Sequence, residues 1–141
     1  VKFFDEAINL ETDNAKKADN AYKAASVLAS AKKLSQARSY AQKAISFNEN
    51  FGAPYILIAQ LYAGNYKWND EPALNKCTFF AAIDKLQRAK AVDPSVAEEA
   101  NKLISSYSAY TPEAKDLFML GYKAGDRITI GGWIGETTTI R

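Results

Sequence analysis

The chain has 141 residues, enough for one domain with a core, and 48% of them are hydrophobic and 24% charged. A net charge of +2 gives no electrostatic case for nucleic acid or an anionic membrane surface. Histidine is absent and Cys77 is the single cysteine, which removes the commonest general base, the commonest neutral metal ligand and any internal disulfide. No apolar run approaches the roughly 20 residues of a membrane helix, and no signal-peptide pattern is present.

The chain opens in helical pattern without an initiator methionine and reads as a piece of a longer protein. From Val1 to about Asn9, the mixed three- and four-residue spacing of Phe3, Phe4, Ala7, Ile8 and Leu10 predicts a helix. Its exit, AINLETDN, parallels AISFNENF from Ala44, so it reads as the last helix of an earlier repeat. Thr12 or Asp13 can cap the next helix, about Asn14 to Ser30, whose apolar face is Ala18, Ala21, Ala24, Ala25 and Leu28. A polar turn around Lys32 leads to a partner helix presenting Leu34, Ala37, Ala41, Ala44, Ile45 and Phe47.

Gly52-Ala53-Pro54 restarts the pattern, with proline in a first helical turn. Tyr55, Ile58, Ala59 and Tyr62 then lie 34 residues after Ala21, Ala24, Ala25 and Leu28. A fixed period at four positions marks a repeat protein. GNYKWNDE, from Gly64 to Glu71, interrupts it with turn chemistry. A helix is expected from about Pro72 to Val92, where Phe79, Ala82, Leu86 and Ala89 stand 45 residues after Leu34, Ala37, Ala41 and Ala44.

Asp93-Pro94 stops that helix, because proline lacks an N–H and restricts its predecessor. Ala100, Leu103, Ile104 and Tyr107 begin a third copy, 45 residues after Tyr55, Ile58, Ala59 and Tyr62. Thr111-Pro112-Glu113 starts a further helix that Gly121 or Gly125 can close. ITIGGWIGETTTI, from Ile128 to Ile140, reads as a β-hairpin turning at Gly131-Gly132 or Gly135-Glu136. Alone it is marginal, so Trp133 and the isoleucines are expected to pack on the last helices and cap the open end.

These residues resemble the tetratricopeptide repeat over about Asn14 to Tyr110. Ala25, Ala59 and Ile104 match its small-residue place, and Leu28, Tyr62 and Tyr107 the aromatic place that follows. Ala37 with Ala44, Ala82 with Ala89, and Pro94 match the second helix and its terminal proline. The resemblance implies an all-α, right-handed α-α superhelix of such helical hairpins with a short C-terminal β-hairpin. Its array would span 1–126: the end of a preceding repeat 1–11, a repeat 14–51, a repeat with an inserted loop 52–94 and a partial repeat 95–125. Residues 127–141 would form the hairpin cap. The closing YKAGDRITIGGWIGETTTIR resembles the C-terminal end of Bacteroides-type repeat proteins, which are often exported; this tilts the expected compartment toward the periplasm.

A stack of this kind leaves a groove lined by first helices. The resemblance places Asp19, Tyr22 and Ser26, then Ile56 and Gln60, then Glu98, Asn101 and Ser105 on it. Tyr22, Ser26 and Leu57 stand where members that grip a peptide carboxylate carry polar donors, so that activity is not expected. In the inserted loop, Tyr66, Lys67 and Trp68 are interface-type side chains, unless the two aromatics fold back over the neighbouring hairpin.

Cys77 reads as a small core residue, with no second thiol or histidine to build a site around it. Glu98 and Glu99, adjacent on a helix, do not face each other and suit its dipole. Lys85, Arg88 and Lys90 lack the aromatic interleaving of a nucleic-acid surface. The expected function is a protein–protein interaction scaffold that binds a peptide or protein partner in the groove. The alternative is a purely structural end of a longer array, with recognition elsewhere. No enzyme, cofactor, metal or nucleic-acid partner is expected.

Overall fold

The computed structural model describes residues 1–141. It contains α1 (Lys2–Leu10), α2 (Asn14–Ser30), α3 (Leu34–Phe47), α4 (Ala53–Gly64), α5 (Pro72–Lys76) and α6 (Thr78–Val92). A 3₁₀ turn (Pro94–Val96), α7 (Ala97–Ser108), α8 (Ala114–Met119) and the strands β1 (Arg127–Thr129) and β2 (Thr137–Thr139) follow. The chain is therefore mostly helical with one small antiparallel sheet. No helix is long and apolar enough to cross a membrane.

Asp13, rather than Thr12, caps α2: its carboxylate accepts from the N–H groups of Ala15 (2.8 Å) and Lys16 (3.2 Å). Consecutive helices pack in sequence, α2 on α3, α3 on α4, α4 on α6 and α6 on α7. Alanines occupy the contacts: Ala21, Ala25, Ala37, Ala41, Ala44, Ala59, Ala82, Ala89 and Ala100 are fully buried. Small side chains let the helix backbones approach closely, while Leu28, Ile58, Tyr62 and Leu86 fill the space beside them.

The starts of α4 and α7 touch through Gly52 and Asp93. The Gly52 N–H donates to Asp93 Oδ2 (2.9 Å), while Asp93 Oδ1 accepts from the Ser95 hydroxyl (2.6 Å) and N–H (3.1 Å). A Cβ on Gly52 would fall 2.6 Å from Val96 Cγ2 and 2.8 Å from Asp93 Cβ, so only glycine fits. The hydrogen bonds from Ser95 and Gly52 hold the Asp93 carboxyl below its ordinary value. Its stabilising contribution is thus present above pH 3.8 and lost as pH falls through and below that value. Asp93→Ala is expected to cost about 1 kcal/mol at neutral pH, read by urea unfolding, and much less in acid.

Three expectations about elements need correction. The single helix expected from Pro72 to Val92 is two, because the backbone tightens at Cys77: Cys77 N–H bonds to Leu74 O and Phe80 N–H to Cys77 O. Thr111 does not cap α8; its hydroxyl donates to Ser108 O (3.0 Å). The six-residue α8 is closed by Gly121 (φ +93°), with Tyr122 N–H on Leu117 O and Gly121 N–H on Phe118 O. It packs against α5.

The third correction concerns the tail. β1 pairs with β2 in the register Arg127↔Thr139, Ile128↔Thr138 and Thr129↔Thr137. An Ile130 N–H to Glu136 O bond (2.8 Å) encloses a loop holding both glycine pairs, so neither alone is the turn. The hairpin is not confined to the last helices. It lies across α3, α4 and α6, and α6 contacts β2. Arg38 on α3 donates to Ile134 O (2.6 Å) and Trp133 O (2.8 Å). Tyr62 on α4 donates to Glu136 (2.7 Å), which also pairs with Lys85 on α6 (2.5 Å). Thr138 donates to Asp84 (2.6 Å), which is ion-paired with Arg141. The reason is partnership: Ile128, Ile130, Ile134 and Ile140 join the main core here, as does Leu117 of α8, while Phe118 and Met119 of that helix stay exposed.

Candidate partner-binding site

The residues expected on the groove do not share one environment. Asp19, Gln60, Glu98, Asn101 and Ser105 are exposed, and Ser26 is half-buried. Glu98 sits 3.7 Å from Lys102 one turn on, a solvated pair that contributes little. Tyr22 is half-buried and meets Phe51 edge-on, with ring centroids 5.4 Å apart. Ile56 is a correction: it is 4% exposed and belongs to the core, because α4 packs against α2, α3 and α6.

The inserted loop divides in the same way. Trp68 is half-buried and packs back against the core, the alternative left open for the loop aromatics. Its indole N–H donates to Leu74 O (3.2 Å), and a Cβ on Gly131 would lie 2.8 Å from its ring. Asn75, 8% exposed, fixes the loop by accepting from the N–H groups of Trp68 (2.8 Å) and Asn69 (2.7 Å) and donating to Asn69 O (2.7 Å). Lys67 is exposed, and Tyr66 is half-buried with its carbonyl held by the Thr78 hydroxyl (2.9 Å).

Gln60 and Tyr66, expected in separate sites, line one cavity of about 480 Å³. Ala63 and Gly64 on α4, Lys76 on α5, Phe79 on α6, and Tyr107 and Tyr110 at the end of α7 complete it. Phe79, 7% exposed, is the hub of its rings. Its centroid lies 5.1 Å from Tyr66, 5.9 Å from Tyr107 and 5.5 Å from Tyr110, the last stacked at 28°. Burial pushes the Tyr107 phenol above its ordinary value, so that hydroxyl is neutral at physiological pH. Tyr110 remains 57% exposed at the rim. The one local signal for this cluster is Tyr107 and Tyr110 three residues apart at the end of a helix; nothing in the sequence couples them to Tyr66.

The remaining candidates have structural roles. Cys77 is fully buried, and burial pushes its thiol up to about 11, which leaves it protonated and inert. Lys85 is committed to Glu136 of the tail. No group of three or more cysteine, aspartate or glutamate side chains could hold a metal ion. The cavity walls offer apolar area, phenol and amide groups and one ammonium. Comparison with protein-family models, with curated proteins and with solved structures found no match.

Proposed function

We propose that this chain is an interaction module, a right-handed superhelix of tetratricopeptide-like hairpins that holds a peptide segment of a protein partner against its first helices. The observation that carries the reading is the aromatic cavity. It joins exposed Gln60 on α4 to Tyr107 on α7 and Tyr110 just beyond it, on helices that occupy corresponding places in the repeat. Asn101 and Ser105 are also exposed on α7. A concave, largely aromatic depression with a few polar groups is a common form of anchor pocket. The tail supports the same reading. Its polar anchors are Arg38, Tyr62, Asp84 and Lys85, on α3, α4 and α6, and none is a cavity-lining residue.

The test is selection of displayed random peptides on the intact chain, followed by amide chemical-shift mapping. Selected peptides are expected to perturb Gln60, Asn101 and Tyr110, and to lose about tenfold in affinity on Tyr110→Ala, an exposed position whose loss leaves the core intact. Failure to select any peptide, or shifts centred on Arg38 and the tail, would overturn the reading.

A further inference from the structure

The rings of the cavity could in principle receive a cation, since aromatic faces attract ammonium groups. The charges around them argue otherwise. No aspartate or glutamate lines the cavity, and Lys76 does. Lys67, next to Tyr66 in the chain, lines a neighbouring depression with Asp70, and its ammonium lies 6.0 Å from the Tyr66 ring centroid. Neither lysine is in an ion pair. Lys76 also borders Glu71 and Asp116 in a neighbouring depression, yet pairs with neither. Both ammonium groups are exposed and available to a ligand. The lining therefore carries one positive charge and no negative one, with a second ammonium over the Tyr66 ring, so it favours an incoming anion over a cation.

We propose that the cavity takes an aromatic side chain from a partner peptide whose flanking residues are acidic, with Lys67 and Lys76 receiving the flanking carboxylates. This rests on the peptide-binding reading above and adds the class of peptide. Phe79 and Tyr110 offer the faces on which the anchor ring packs. Gln60 is placed at the wall to hydrogen-bond the peptide backbone. Two lysines are too few to track a phosphate backbone, whose affinity grows with each neutralised phosphate. A peptide is therefore favoured over a single-stranded nucleic acid whose bases would stack on the same rings.

The experiment measures fluorescence anisotropy with four labelled synthetic peptides on the intact chain. Three share a central tryptophan and differ only in flanks of aspartate, asparagine or lysine; the fourth has acidic flanks and alanine at the centre. A short oligothymidylate is the fifth probe. The acidic tryptophan peptide is expected to bind about tenfold tighter than the neutral one, and the lysine peptide weakest. The exposed-surface variant carrying Lys67→Glu and Lys76→Glu should reverse that order, and added salt should compress it. The alanine-centred peptide should bind weakly whatever its flanks.

Equal binding of all three tryptophan peptides, with shifts at the cavity, overturns the acidic assignment and leaves the peptide-binding reading intact. Binding of the acidic alanine peptide as tight as the acidic tryptophan one overturns the aromatic anchor. Tighter binding of oligothymidylate than of any peptide overturns the proposal in favour of nucleic acid. No binding by any probe, with the chain folded, overturns both the proposal and the reading beneath it.

Discussion

Ending the chain after Asp126 is expected to leave a polypeptide that does not fold cooperatively. The hairpin so removed carries Ile128, Ile130, Ile134 and Ile140, all at most 6% exposed and all part of the main core cluster. Each buried isoleucine contributes about 1.5–3 kcal/mol, so the four together contribute at most roughly 6–12 kcal/mol. A domain has only about 5–15 kcal/mol in total. Truncation also uncovers apolar surface beneath the tail and strips Trp68 of its contact at Gly131. Glu136 and Thr138 leave as well, so Lys85 and Asp84 lose the partners that the tail supplies. The expected result is loss of the thermal transition with binding of an apolar dye, followed by circular dichroism and dye fluorescence. A truncated chain that melts cooperatively within a few degrees of the parent would show that the hairpin merely rests on the helices.

How much of this was legible depended on distance along the chain. The alanine spacing is local, and it placed α2, α3, α4 and α7 and every buried position of α2, but it missed Tyr40 on α3 and Pro54, Ile56 and Leu61 on α4. Ala25, Ala41, Ala59 and Ala82 are each fully buried. Ile56 was misplaced because α4 is apolar almost all round: Ile56, Ile58, Ala59, Leu61 and Tyr62 are all buried, and Gln60 is its one polar side chain before the closing Gly64. Periodicity cannot choose a face on a helix with so little polar contrast. Trp68 was ambiguous because what covers it, Gly131, lies in the distant tail. The tail's seat was illegible for the same reason. Arg38 meets Trp133 across a separation of 95 residues, and no local pattern encodes that meeting. The cavity was half legible: Gln60 and Tyr66 were singled out separately, but their convergence with Tyr107 and Tyr110 requires α4, α6 and α7 to be packed first.

Arg38→Ala is the sharpest test of how the tail is held. The guanidinium donates to Ile134 O (2.6 Å), Trp133 O (2.8 Å) and Tyr62 Oη (3.1 Å), and lies 5.1 Å from the Trp133 ring centroid. Alanine removes these charge-assisted bonds and leaves half-buried carbonyls without partners. A loss of about 3 kcal/mol is expected, lowering Tm by about 10 °C. Arg38→Lys should recover less than half of it, because one ammonium cannot serve three acceptors spread across a planar fork.

Tyr62 is the second member of the clamp. Burial, and then its hydrogen bond to Glu136, push its phenol above the ordinary value of 10.0. A raised folded-state value means the fold prefers the neutral phenol, so this contribution is whole below pH 10 and declines as pH rises above it. Tyr62→Phe should therefore cost about 1 kcal/mol at neutral pH and flatten the alkaline fall. Combined with Arg38→Ala it should cost less than the sum of the two, since both act on the same loop. Strict additivity, or an Arg38→Ala chain within about 1 kcal/mol of the parent, would place the tail's anchorage in its isoleucines alone.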